Sequence, residues 1–210
     1  MSENEYKFNS FVLKEIKDIK KPIILELGVK EGRSTKMFLE ICRKNDGKLF
    51  SIDRDDYSNL FNSPNWKFIK SNDDDFAFLE DKLPENFDVI YLDTTHEANH
   101  VEKIFYNYFE KLNINGFFFI DDISWLPYLK SASRNNLYCE INNKETFDCL
   151  LSIYNENKNN FDIEFSFVTS GLCKILKKKN ELKNKKKIIT RELSIKNILK
   201  KTFAKLKKWV

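Results

Sequence analysis

Glycine and proline are scarce in this chain, five and four among 210 residues. Few points remain where the backbone can turn sharply or let a ligand come close, so each glycine carries information. A collagen-like or glycine-rich disordered chain is excluded. The four cysteines, Cys42, Cys139, Cys149 and Cys173, form no C-x-x-C pair, and no secretory signal precedes them. They read as reduced, mostly buried thiols of a cytosolic protein, with neither a sulfur-ligated metal cluster nor a disulfide framework. No apolar run approaches the roughly 18 residues that a membrane-spanning helix needs. The expectation is a cytoplasmic protein that at most lies on a membrane surface.

What the chain does have is apolar bulk and charge. Hydrophobic residues make up 41% and aromatic residues 14%, enough to fill the core of one domain plus an appendage. The net charge of +4 hides an asymmetry: Lys174 to Val210 holds fifteen Lys and Arg against two Glu, so this end carries +13 and residues 1–173 carry −9. An acidic body is followed by a basic tail.

The chain is organised around Pro22 to Thr35, PIILELGVKEGRST. Ile23, Ile24 and Leu25 form the short continuous apolar run expected of a strand buried on both faces, and Gly28 lets the backbone turn at its end. Gly32 permits close approach. The Ser34-Thr35 pair is placed to cap a helix that carries Met37, Phe38 and Ile41 inward, leaving the first-turn amides facing a ligand over the glycines. The spacing Glu26-x-Gly28-x-x-x-Gly32 lacks the tight glycine pair that admits a pyrophosphate, so a ligand without phosphates is favoured.

These residues resemble the first motif, E/D-x-G-x-x-x-G, of class I S-adenosylmethionine (SAM) dependent methyltransferases. The Gly32-x-Ser34 ending is similar to the macrocin-type and related sugar O-methyltransferases. The resemblance extends over roughly residues 7–177. It implies a Rossmann-like α/β fold, with a seven-stranded, mostly parallel sheet, an antiparallel C-terminal hairpin and helices on both faces. It also implies that SAM is held by Glu26, Gly28, Gly32 and Ser34.

Along the chain, Phe8, Phe11, Val12, Ile16 and Ile19 predict an amphipathic helix over 7–20 with a structural role. Lys48 to Asp53 reads as a second strand, and Asp53 stands where this architecture places a carboxylate for a ribose diol. Trp66 to Lys70 reads as a third strand. The Ser71, Asn72 and Asp73 that follow it lie where the resembled family holds the adenine edge. For Asp73 to Asp75 a plain acidic helix N-terminus is an equal reading. Phe87 to Asp93 reads as a fourth strand, residues 97–112 as a helix, Asn113 to Gly116 as its stop, and Phe117 to Ile120 as a fifth strand ending in Asp121-Asp122. Residues 123–141, with Trp125, Pro127, Tyr128 and Arg134, read as a substrate loop or a plain tether. Thr146 to Tyr154 is helical, and Phe161 to Thr169 with Gly171 to Leu176 make the hairpin.

Strand ends thus deliver Glu26, Asp53, Asp93 and Asp121-Asp122 to one edge, where open α/β sheets bind ligands. Asp93-Thr94-Thr95-His96 and Asp121-Asp122 resemble the D-x-x-H and D-D pairs of metal-dependent O-methyltransferases. By that resemblance Asp93, Asp121 and Asp122 would hold a divalent ion, with Asp93 also counted among the SAM-binding residues. An oxygen-only set suits Mg2+, whose role would be to stabilise an alkoxide. His96 is the expected general base, and His100 reads as structural. A strand end capping the next turn is the plain alternative for Asp121-Asp122.

The tail, 179–210 beyond a catalytic domain of 1–178, reads as a basic amphipathic helix with Ile195, Ile198, Leu199, Phe203, Leu206 and Val210 on one face. Packing on its own domain or a second copy, contact with an anionic membrane, and an electrostatic arm for nucleic acid stand open. The apolar stripe and Trp209 weigh against nucleic acid. The expected function is SAM-dependent O-methylation of a hydroxyl on a small-molecule, sugar or glycan acceptor, assisted by a divalent metal. Two other classes stand beside it: a metal-independent methyltransferase for another small molecule or a macromolecule, and a non-catalytic membrane- or partner-binding protein with this fold.

Overall fold

The computed structural model describes residues 3–126, 137–189 and 195–206. A continuous helix, α1, opens the chain as Glu3–Phe8, passes through a π-helical turn at Asn9–Leu13 and ends at Lys14–Ile16. It starts earlier and stops sooner than the expected 7–20. Asn45 accounts for the early stop, because its side-chain amide donates to the carbonyls of Lys17 and Ile19 and its carbonyl accepts from Lys21 N–H. Lys21, at φ +49°, then turns the chain, and Pro22, which has no N–H to continue a helix, leads into the first strand.

Next come β1 (Ile23–Leu27), α2 (Arg33–Asn45), β2 (Lys48–Asp53), β3 (Trp66–Lys70), α3 (Phe76–Glu80), β4 (Phe87–Leu92), α4 (Ala98–Lys111) and β5 (Leu112–Asp121). After the segment 127–136, which lies outside the described residues, follow α5 (Leu137–Asn157), β6 (Phe161–Ser166), β7 (Leu172–Lys177) and α6 (Ile195–Leu206). The strands form one seven-stranded sheet in the order β3-β2-β1-β4-β5-β7-β6, parallel through β5, with β7 antiparallel to both β5 and β6. This is the expected Rossmann-like α/β arrangement.

Alternation along the strands divides the core between two faces. Leu25, Leu27, Ile90, Leu92, Phe118 and Ile120 pack with Ile104 and Phe105 of α4 and Leu150 and Ile153 of α5. Ile24, Val89, Tyr91 and Phe119 pack with Phe8, Val12 and Ile16 of α1 and Phe38 of α2. Helices therefore cover both faces.

Two elements are longer than expected. The helix expected over 97–112 does stop ahead of Asn113 to Gly116, at Lys111, but the fifth strand already begins at Leu112, which pairs with Phe87, and a register shift before Val89 absorbs the irregularity. Likewise, the helix expected over 146–154 begins at Leu137. Beyond β7 the chain does not pass directly into a helix. Lys177 is fully buried, its ammonium donating to the carbonyls of Phe109 and Leu112 at the end of α4. Residues 181–189 then run without regular secondary structure, tied by Lys183 to Asn157 and by Lys185 N–H to the Tyr106 hydroxyl. Among the described residues the tail helix spans Ile195–Leu206, while Arg191, Trp209 and Val210 lie outside the described residues.

Candidate functional site

The strand order reverses between β1 and β4, so a crevice opens where these two parallel strands end. The loops leaving them touch. Gly28 has φ +99°, and a Cβ there would stand 2.1 Å from the backbone oxygen of Asp93. Gly32, at φ +71°, is the N-cap of α2 and makes no side-chain cap. Contrary to expectation, Ser34 and Thr35 do not cap the helix. Their hydroxyls donate to Glu26, at 2.6 and 2.8 Å, and the Ser51 hydroxyl donates to it at 2.6 Å.

Glu26 is thus a buried hub rather than a carboxylate facing a ligand. Register places it opposite Ser51 on β2 and Tyr91 on β4. Burial pushes its pKa up to about 7 against the lowering effect of three hydroxyl donors. Its service to the site, and that of Ser34, is to lock β1 and β2 to the first turn of α2.

Asp53 sits at the end of β2, beside the glycine loop. One carboxylate oxygen accepts from the backbone N–H of Val29 at 2.8 Å and of Lys30 at 3.3 Å, and the other accepts from Asp55 N–H at 3.0 Å. It therefore shapes the loop from below and keeps lone pairs at the crevice. Asn72 is exposed, on an open hollow of about 360 Å³ shared with Arg54, Lys70, Ser71, Asp75 and Phe78. Its neighbour Asp73 turns inward, contrary to the adenine expectation. It is 8% exposed and bonded to the Thr94 hydroxyl at 2.6 Å and to His100 at 3.0 Å. That bond, opposed by burial, raises the His100 pKa, which fits a structural histidine.

The remaining acids gather around His96. Its Nε2 lies 3.2 Å from Oδ2 of Asp122 and 3.8 Å from Oδ1 of Asp93, and its carbonyl accepts from the Thr146 hydroxyl of α5 at 3.0 Å. With Nε2–H assigned to Asp122, the ring lone pair lies on Nδ1. The imidazole is about one-third exposed, so it is held yet reachable. Burial, then the charge of Asp121, push Asp93 up to about 7. With 41% of its side-chain surface open to water, crowding of charge is the sounder of the two causes.

Asp121 faces the other way. Its Oδ1 accepts from the Lys7 ammonium at 2.5 Å, the Ser170 hydroxyl at 3.3 Å and Asp122 N–H at 2.8 Å; its Oδ2 accepts from the Tyr91 hydroxyl at 2.8 Å. Burial and then the Asp121 charge hold that tyrosine protonated, well above its ordinary pKa. The three carboxylates expected to hold a divalent ion therefore do not converge. Asp93 and Asp122 face His96, whereas Asp121 is spent on an internal cation. Among the described residues no group of three or more His, Cys, Asp or Glu is arranged to hold a metal. The expected Mg2+ site does not fit this arrangement.

Lys7, Tyr91 and Ser170 escaped the reading of the sequence. Lys7 looked like one more polar residue on an amphipathic helix, and its partner is 114 positions away. Tyr91 alone left a trace, as a hydroxyl one position before the end of the apolar run Val89–Leu92. The hairpin brings in Ser170, because Ser124 N–H donates to Ser170 O and Asp122 N–H to Gly171 O.

A family model described as a methyltransferase domain matches residues 25–123, from β1 to just beyond the acid pair of β5. No curated protein matches the chain. Among solved structures, the chain is similar to the MycE methyltransferase of the mycinamycin biosynthetic pathway in complex with Mg and SAH. That match has 19% identity and a TM-score of 0.63, covering 83% of this chain and 50% of that one. A putative caffeoyl-CoA O-methyltransferase from Staphylococcus aureus gives 16% identity and a TM-score of 0.62, covering 84% of each chain. The SAH-bound methyltransferase PaMTH1 from Podospora anserina gives 18% and 0.57, covering 75% of this chain and 72% of that one. The chain spans about half the length of the MycE structures.

Proposed function

We propose that the chain is a class I SAM-dependent methyltransferase that methylates a hydroxyl of a sugar or glycan, a reading supported by the methyltransferase-domain match over residues 25–123 and by the likeness of fold to SAH-bound methyltransferases. The observation that carries the reading is the His96–Asp122 pair, set at the ends of β4 and β5 beside the crevice that Gly28 and Asp53 shape. A hydroxyl must lose its proton as it becomes an ether, and an imidazole with its lone pair on Nδ1 can take it. Asp122 fixes the ring and stabilises the imidazolium that results, as a carboxylate does in other His–Asp pairs.

SAM supplies an electrophilic methyl on a sulfonium. On the chain's side, Asp53 offers a carboxylate to a ribose diol, Asn72 offers an amide beside an open hollow, and the first-turn amides of α2 face the loop. His96 receives the hydroxyl proton, the carbon–sulfur bond breaks as the carbon–oxygen bond forms, and a methyl ether, SAH and a proton leave. Confining the acceptor between His96 and the crevice contributes by positioning. No step is assigned to a divalent ion, because Asp121 is committed to Lys7. The sugar class is supported by the resemblance of the Gly32-x-Ser34 motif and by the likeness to MycE, which has been crystallised with mycinamycin VI.

The test is transfer of labelled methyl from SAM to a panel of nucleotide sugars and glycans. Label that survives alkali and is located on oxygen is an ether and supports the reading. Alkali-labile label, or label only on nitrogen, contradicts it.

A further inference from the structure

A buried ammonium lies within the acid edge. The side chains of Lys7 and Asp121 are 5% and 10% exposed, whereas those of Asp93 and Asp122 are 41% and 29% open. The carboxylate that water serves least is therefore the one paired with the lysine. Each of the three ammonium protons has an acceptor: Asp121 Oδ1, Ser170 Oγ at 2.9 Å and the Gly171 carbonyl at 3.4 Å. Asp121 in turn has both oxygens engaged, Oδ2 by the Tyr91 hydroxyl.

The helix that presents Lys7 is itself fixed. Phe8, the next residue, packs edge-on against Phe38 and Tyr91 with ring centroids 5.1 and 5.5 Å away, and Glu15 on the same helix pairs with Lys174 of β7 at 2.9 Å. Drawing Lys7 away from Asp121 would strand two buried opposite charges.

We propose that the Lys7 ammonium takes the place of a divalent cation on Asp121. The acid edge is then neutralised from within the chain, and a divalent ion gains this carboxylate only when Lys7 is absent. Its bearing on catalysis rests on the methyltransferase reading above; ion binding does not, so the two fail separately.

The experiment is a Mn2+ titration of the full chain by electron paramagnetic resonance, with thermal melting followed by circular dichroism on the same samples to report a folded domain. In the wild type, Asp121→Asn should leave Mn2+ affinity unchanged. Lys7→Met, which keeps the length and removes the charge, should tighten Mn2+ binding by about tenfold or more, and Asp121→Asn added to Lys7→Met should abolish the gain. A wild type that loses about tenfold in Mn2+ affinity on Asp121→Asn overturns the proposal. So does a folded Lys7→Met variant with no gain. The comparison of wild type with Asp121→Asn keeps the test decisive even where Lys7→Met does not fold.

Discussion

Nε2 of His96 and Oδ2 of Asp122 lie 3.2 Å apart, bridging the ends of two neighbouring parallel strands. If the imidazole is the base and the carboxylate its orienter, the two substitutions differ in degree. His96→Ala should cost about 100- to 10,000-fold in methyl transfer, and the loss should shrink at high pH, where hydroxide partly substitutes. Asp122→Asn should lose a smaller part of the rate. Neither should change SAM affinity, since both groups act on the acceptor. Rates followed across pH, alongside calorimetry, check this. A drop in SAM affinity that tracks the rate would mean the pair shapes the cofactor site instead.

Glu26 gives a pH signature of stability. Its folded pKa of about 7 lies above the unfolded value of 4.5, so the folded state binds this proton more tightly. Its contribution is full below about pH 4.5, is lost as pH rises through about 7, and amounts to about 3 kcal/mol across that window. Glu26→Gln should flatten this part of the profile. Urea unfolding at several pH values measures it, and an unchanged slope in the variant would place the titration elsewhere.

Gly28 is held at φ +99° against the backbone of Asp93, which a Cβ would strike at 2.1 Å. Gly28→Ala should cost about 1–3 kcal/mol in backbone strain alone, with the clash in addition, and should weaken SAM binding. A variant with wild-type melting temperature and SAM affinity would show that the two loops part freely.

The tail prediction takes its boundary from packing rather than from charge. Lys183 and Lys185 are tied to α5 and α4, whereas Ile195, Leu199 and Phe203 on α6 are exposed. Removing residues 190–210 should leave folding and SAM binding intact and reduce binding to anionic lipid vesicles. Removing residues 180–210 should lower the melting temperature, because Leu182 packs against the core. Equal vesicle binding with and without α6 would rule out the membrane reading of the tail.

The sequence made β1, β2, β4, β5 and the glycine loop legible because each of those strands carries an apolar run with an acid at or next to its end, and because glycine is so rare that Gly28 and Gly32 stand out. Residues 48–53 and 66–70 match their strands to the residue. The fifth strand was underestimated because Asn113 to Gly116 has the composition of a stop, while its pairing with β4 is set by neighbours that sequence does not display. The acids at the edge could be counted from sequence, but their partners could not. Asp121 belongs to Lys7 and Tyr91 only once α1 has docked, and Glu26 meets Ser51 only through the register of β1 on β2. The metal expectation failed to fit for that reason. Four acids in a row of strand ends call for a cation, and the chain supplies one from its own first helix.

The central claim, that the crevice between β1 and β4 binds SAM through the Gly28 loop and Asp53, is tested most directly by calorimetric titration of the full chain with SAM and SAH. The account predicts saturable binding of both ligands, weakened by about 1–3 kcal/mol in Asp53→Ala, which removes a charged acceptor, and left nearly unchanged in His96→Ala. Absence of binding to the folded wild type, or binding indifferent to Asp53→Ala, would contradict it.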